Sequence, residues 1–285
     1  MKHPNVAGLK ENINRTKEQL CGSLIKFSVI FEYYENNLSK DIAIRAQTDS
    51  HYTEQELWFI SESMISSLQY LQASGIYNED ISPRNIMIST DGAYKIGDYG
   101  LLTRGLTSYF QLLAGKTGAS YISPELLTAL RKKQSNPEHD IAKSDAYSLG
   151  MTLLHAATLK DIAPCYNFTM YNINNDQLHA FLSQARQMYS AGFVNFLSDL
   201  LVEDLSRRMD FLTIHNNMQS QQVNYQVPAQ LMTRPIPHSK SVYKVEEEVE
   251  EVLKEESKEC EKEVAAGVLP VQPVPAQGVH VMHPV

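Results

Sequence analysis

The sequence predicts an α+β fold, mainly helical with a small amount of sheet, and three stretches carry that reading. Residues 53–74 place Leu57, Ile60, Met64, Ile65, Leu68 and Leu71 at helical spacing behind a Thr53-x-x-Glu56 capping box, and Gly75 ends the run. Residues 86–96 read as a hairpin: Ile86, Met87 and Ile88, an Asp91-Gly92 turn, then Tyr94 and Ile96 in alternation. Residues 144–159 hold Ala146, Leu149, Met151, Leu153, Leu154 and Ala157, the composition of a buried helix.

The remaining elements follow in order. Residues 24–33, LIKFSVIFEY, are β-branched and aromatic and predict a strand. Residues 126–134 predict a short helix and SNPEHD (135–140) an inserted loop; residues 160–176 are Asn- and Tyr-rich and read as irregular. Two amphipathic helices are predicted over 177–190 and 192–204, the second apolar at Phe193, Phe196, Leu197, Leu200 and Leu201, and a short helix near 209–217 closes the domain. Trp58 is read as a core residue. Beyond about residue 218 the character changes. Residues 218–242 read as linker, 244–263 as a charged segment that could form a single helix, and 268–285, VLPVQPVPAQGVHVMHPV, as Pro-rich chain without fixed structure.

Composition bounds the function. The chain has 285 residues, 43% of them hydrophobic, with a formal net charge of −8. Ten Glu and four Lys in residues 244–263 sum to −6, so the remainder carries only −2. No segment is strongly basic, which argues against nucleic acid as a partner. Cys21, Cys165 and Cys260 are widely spaced and read as reduced thiols of an intracellular, cytoplasmic protein. The N-terminal MKHPNVAGLK lacks the apolar core of a signal peptide, and no run approaches the roughly 20 apolar residues of a membrane span.

The chemistry concentrates in residues 76–100, IYNEDISPRNIMISTDGAYKIGDYG. Asp80 and Asn85 precede the hairpin and Asp98 follows it, so a rigid support carries two carboxylates and an amide. Such oxygen donors suit Mg²⁺, a hard cation that also takes substrate phosphates. The stretch resembles the catalytic and metal-binding loops of eukaryotic protein kinases, in which D-x-x-x-x-N precedes D-F-G. Asp80-Ile-Ser-Pro-Arg-Asn85 and Asp98-Tyr-Gly100 stand in those places. Ser123-Pro124-Glu125 resembles A-P-E, and Lys143-Ser-Asp-Ala-Tyr-Ser-Leu-Gly150 the start of the large buried helix. Phe31-Glu32-Tyr33 resembles the hinge and Lys-His-Pro-Asn-Val (2–6) the turn ahead of the small lobe's fourth strand. The resemblance covers roughly residues 1–215. Small-molecule kinases of the aminoglycoside type share D-x-x-x-x-N, but the D-Y-G, S-P-E and D-x-Y-S-L-G set argues against them.

The resemblance implies a kinase-like fold with a mainly helical large lobe (37–217) and only part of the small-lobe sheet (small-lobe remnant and hinge, 1–36), followed by an acidic and Pro-rich tail (218–285). It implies ATP and Mg²⁺ as cofactors and a protein Ser/Thr hydroxyl as acceptor. Asp80 takes the place of the residue that orients the hydroxyl and accepts its proton, and Asn85 and Asp98 the places of the metal ligands. Phe31 would line the nucleotide pocket, with Glu32 and Tyr34 offering backbone contacts to the adenine. Asp145 would accept hydrogen bonds from the catalytic-loop backbone, or else cap its helix in competition with Ser144. Glu125 and Arg208 would form a buried ion pair bracing the activation segment, residues 101–122.

Departures from the family pattern cut against activity. Asn78-Glu79 replaces His-Arg, and Ser82 replaces the catalytic-loop Lys, whose charge Ser cannot supply. No G-x-G-x-x-G, strand Lys or paired helix Glu is found; these would precede the H-P-N turn. The expectation is therefore either a Ser/Thr kinase completed by upstream sequence or a pseudokinase that binds protein partners. Association through an open small-lobe sheet edge is a third course. Glu79 also reverses the charge that would receive an activation-loop phosphate. Phosphorylation of Thr107 or Thr117 is accordingly expected not to raise activity through position 79, and a structure of the phosphorylated protein with the phosphate bonded there would overturn this.

Overall fold

A computed structural model describes residues 2–19, 22–97, 121–134 and 137–220. They fall into two compact units, one of residues 2–9 and 31–220, the other of residues 10–19 and 22–30. The second unit is a hairpin of two long consecutive strands, β1 (Leu9–Gln19) and β2 (Gly22–Phe31). β2 begins two residues before the strand expected over 24–33 and ends two before it. β1 has no counterpart in the expectation, because LKENINRTKEQ offers only Leu9 and Ile13 as apolar residues.

The first unit has a small sheet and a helical body. β3 (Asn36–Asn37), β4 (Ile86–Ile88) and β5 (Tyr94–Ile96) form the sheet, with Ile86 opposite Ile96 and Ile88 opposite Tyr94. The turn between β4 and β5 has Gly92 at φ +81°, where a side chain would be strained. The expected hairpin is therefore present with its Asp-Gly turn. The N-terminal residues extend this sheet: Ala7 N–H donates to the Ile96 carbonyl and Ile96 N–H to the Asn5 carbonyl, both at 2.9 Å. His3 closes the turn before them by accepting from Asn5 N–H (3.1 Å), and its ring stacks on Tyr70.

Helix α1 (Leu38–Gln47), not foreseen from the sequence, leads into α2 (Glu54–Ala73). α2 has both bonds of the capping box, Thr53 to Glu56 and back, and Gly75 follows it at φ +70°. Leu57, Ile60, Met64, Ile65, Leu68 and Leu71 are all buried, and Trp58 packs in the core against Phe193 and Phe196. A buried polar knot joins α1 to α2. Arg45 donates to Asp41 (3.1 Å) and Glu56 (2.7 Å), lies 3.8 Å over the Tyr52 ring, and Tyr52 donates to Asp41 (2.6 Å).

The body is built on α4 (Ile141–Thr158), in which every residue from Ala142 to Thr158 except Lys143 and His155 is buried. The helix starts three residues before the expected 144, because Asp140 caps it by accepting from Lys143 N–H. Asp145 is thus not a cap; it lies inside the helix. Gly150 presses on Leu200 and Leu201, since a Cβ there would come within 2.9 Å of both. Around α4 stand α3 (Pro124–Arg131), α5 (Asn175–Met188), α6 (Ala191–Leu200) and α7 (Phe211–Ser220). Each is shifted by a few residues from its expected bounds, and α6 stops at Leu200 instead of 204. Residues 160–176 are not irregular throughout. They hold a short hairpin, β6 (Tyr166–Asn167) with β7 (Asn172–Ile173), whose two-residue strands are too short to show a period.

Arg208 ties the end of the domain to α3. It is buried, donates to both Glu125 carboxylate oxygens at 2.9 and 3.2 Å, and also donates to the carbonyls of Val202, Lys143 and Glu203. Its guanidinium sits 4.9 Å over the Tyr147 ring. Removing one partner of a buried ion pair strands the other and costs about 3–5 kcal/mol. Arg208→Ala should therefore lower the melting temperature by roughly 10 °C. An unchanged thermal melt would remove this brace from the account.

Candidate active site

The site is assembled from the loop between α2 and β4 and from the first turns of α4. Asn78 is fully buried and makes three separate ties. Its backbone N–H donates to Asp145 Oδ2 (3.0 Å), its side-chain amide donates to the Gly97 carbonyl (3.0 Å), and its side-chain oxygen accepts from Asp80 N–H (3.1 Å). Glu79 N–H donates to the same Asp145 carboxylate at 3.0 Å. Glu79 stands at φ +63°, a left-handed conformation that costs a non-glycine residue about 1–2 kcal/mol. Two successive N–H groups converging on one buried carboxylate offset that strain.

Asp80 and Asn85 are brought together as the sequence predicts. Asn85 Nδ2 donates to the Asp80 carbonyl (2.8 Å) and to its carboxylate Oδ2 (3.1 Å). Asn85 sits at the end of a 3₁₀ turn, Pro83–Asn85, closed by Asn85 N–H to the Ser82 carbonyl (3.0 Å). Its own carbonyl accepts from Gly97 N–H (2.8 Å). Gly97 is therefore gripped from both sides, by Asn78 and by Asn85, directly before Asp98. Asp98 itself and the segment expected over 101–122, up to residue 120, lie outside the described residues, as do Thr107 and Thr117. Among the described residues no three His, Cys, Asp or Glu side chains converge on a possible cation.

Burial pushes the Asp145 carboxyl up to about 7, aided by the charges of Glu79 and Asp80 and opposed by the two backbone N–H donors. Behind the loop a cavity of about 30 Å³, room for one water, is lined by Asp80, Glu79, Asp145, Ser144, Tyr121 and Ile122. Tyr121 OH bonds His155 Nδ1 at 2.7 Å, and Ser123 Oγ bonds Ser144 Oγ at 2.8 Å. Where the resemblance places a hinge, Glu32 N–H donates to the Gly8 carbonyl (2.8 Å), and Tyr34 OH donates to Glu32 Oε2 (2.7 Å). Lys95 approaches the same carboxylate at 3.7 Å. The side chain of Phe31 lies outside the described residues.

A model of the protein kinase domain matches residues 1–221. The chain belongs to the protein kinase family. Within it, the chain is 28% identical over 162 residues to a membrane-associated tyrosine- and threonine-specific cdc2-inhibitory kinase of Caenorhabditis elegans, wee-1.3, covering 55% of this chain and 22% of that protein. It is 25% identical over 209 residues to mouse serine/threonine-protein kinase 36 (73% and 14%), and 30% identical over 164 residues to mouse Nek1 (56% and 12%). The chain spans less than a quarter of the length of each of these three relatives. Among the described residues of this kinase domain, no helix is long and apolar enough to cross a membrane.

Sequence reasoning missed the part played by Asn78. It registered only the loss of the family's His, whereas an amide carries a donor and an acceptor on one short side chain and can serve two loops at once. Asp145 gives the pH signature of this arrangement. An unfolded Asp titrates near 4 and the folded one near 7, so the folded protein holds the extra proton between those values. The stability it contributes is present at low pH and is lost as pH rises from about 4 through 7. Asp145→Asn mimics the protonated form and keeps an acceptor. Its melting temperature should gain on that of the wild type by roughly 5–10 °C between pH 5 and pH 8. Parallel melts at the two pH values would contradict the assignment.

Proposed function

We propose that the protein transfers the γ-phosphoryl group of ATP, with Mg²⁺, to a Ser or Thr hydroxyl of a protein substrate. The observation that carries this reading is the Asn85 amide nitrogen bonded to Asp80 at both its carbonyl and its carboxylate. With its nitrogen so used, Asn85 has its amide oxygen to offer, a hard donor suited to Mg²⁺. Asp98 would supply the second oxygen ligand. Bound ATP–Mg²⁺ supplies the phosphoryl group and neutralises its developing charge. Asp80 orients the acceptor hydroxyl and takes up its proton as the oxygen attacks. Phe31, Glu32 and Tyr34 form the adenine side; because Gly8 uses the Glu32 N–H, a contact from Glu32 has to come from its carbonyl. Residues 1–36, 37–217 and 218–285 serve in this reading as small-lobe part and hinge, large lobe, and tail.

The chemistry is expected to be slow. Ser82 cannot place a cation beside the transferring group, and loss of one preorganised donor costs on the order of 10²–10³ in rate. Glu79 and Ser82 together favour a second reading, a pseudokinase that binds protein partners without chemistry. Incubation of the full-length native protein with Mg-ATP and a general acceptor such as casein separates the two. Phosphate incorporation that is lost on chelation of Mg²⁺ and falls at least about 100-fold in Asp80→Asn supports transfer. Equal incorporation by wild type and variant, or none by either, removes it and leaves the partner-binding reading.

A further inference from the structure

His3 is a titratable ring that takes no part in the chemistry proposed for the site. Its Nδ1 accepts from Asn5 N–H (3.1 Å), so this nitrogen carries no proton in the folded protein. The proton of the neutral ring then sits on Nε2, which faces Ser66 Oγ of α2 at 3.2 Å. The ring also stacks on Tyr70, one turn further along α2, with the centroids 5.0 Å apart. One neutral tautomer therefore fits this place, and the imidazolium does not. With a proton on each nitrogen, His3 has no acceptor to give Asn5, and no rotation of the ring restores one.

Three bonds tie the same turn to β5. Ile96 N–H donates to the Asn5 carbonyl, Ala7 N–H to the Ile96 carbonyl, and Asn5 Nδ2 to the Tyr94 carbonyl, each at 2.9 Å. Ile96 stands two residues before Asp98, so a proton on His3 acts on the strand that leads into the candidate site. His3 is only half-buried, and solvent can deliver that proton without unfolding the domain. Burial pushes the imidazole down from the ordinary histidine value. The stability it lends is therefore complete above about pH 6.5 and is lost as pH falls through the lowered folded value. Tyr70 is the titratable group against the ring. Glu62, one turn before Ser66 on α2, and Asp145 both have carboxyls pushed up by burial, so their contributions change with pH in the opposite sense.

We propose that His3 is an acid-released latch: neutral, it pins the turn of residues 3–7 to α2 and β5, and protonated, it lets the turn go. The latch stands apart from the phosphoryl-transfer reading, because hydrogen exchange reports it whether or not phosphate is transferred. The test follows amide exchange by NMR in the full-length protein at about pH 7.5 and about pH 5.5, expressed as protection relative to the unfolded chain. Protection at Ala7 and Ile96 should fall about tenfold, the factor by which protonation of a free histidine favours the released turn over that interval. Leu149 and Leu153 of α4 should keep theirs. An Asn side chain offers an oxygen to the N–H two residues on and does not titrate. In His3→Asn, protection at Ala7 and Ile96 should therefore be the same at both pH values, whatever its level. Unchanged protection in the wild type, an equal fall at Leu149 and Leu153, or the same fall in His3→Asn overturns the latch.

Discussion

Asp145 projects from a helix that is almost wholly buried and receives two consecutive backbone N–H groups of the loop before β4. A carboxylate in such surroundings is costly unless it is hydrogen-bonded, and the loop supplies the bonds. The dependence runs both ways. Without Asp145 the left-handed Glu79 would lose the acceptor of its backbone N–H, and Asn78 would lose the backbone tie that holds its side chain between Gly97 and Asp80. The positions of Asp80, Asn85 and Gly97 therefore rest on one buried acceptor.

Around that anchor the loop keeps its geometry while its charge differs from the family pattern. Where the family has Arg this chain has Glu79, and where it has Lys the chain has Ser82, together a change of three charge units toward negative. The hydrogen-bonded frame survives that change, because its donors are backbone N–H groups and side-chain amides, although the charge of Glu79 helps push the Asp145 carboxyl up. The electrostatic work of holding a polyanionic nucleotide is not indifferent. Frame and field have separated in this site: Asp80 and Asn85 remain in contact while the charge around them differs from the family pattern.

Legibility in the sequence followed the physics of each element. The β4–β5 hairpin and α2 were readable because local signals, an Asp-Gly turn and a capping box, fix their ends without help from the rest of the fold. The Glu125–Arg208 pair was reached through resemblance to kinase motifs and is present as bonds, whereas the hydrogen bonds from Asn85 to Asp80 were not foreseen. α1 escaped notice because its polar positions, Asp41 and Arg45, are settled by Tyr52 and Glu56 from beyond the helix as well as by each other. The start of α4 was misjudged because Asp140 and Ser144 are both plausible caps and only the packing decides between them. β1 and the β6–β7 hairpin carry too little apolar pattern for any period to emerge. Asn78 was read as a loss because its value lies in what it bonds to, and those partners are 19 and 67 residues away.

The same helix that anchors the loop also sets the wall beside it. Ser144 in its first turns bonds Ser123, and His155 near its far end bonds Tyr121. Eleven helical residues separate those two positions, about 16 Å along the axis. Tyr121 and Ser123 reach the two positions with their side chains. Between them the carbonyl of Ile122 accepts from Tyr166 OH of the β6–β7 hairpin. Three successive residues are therefore each held by a hydrogen bond to the helix or to the hairpin. Loop, wall and hairpin are thus all referenced to one buried helix.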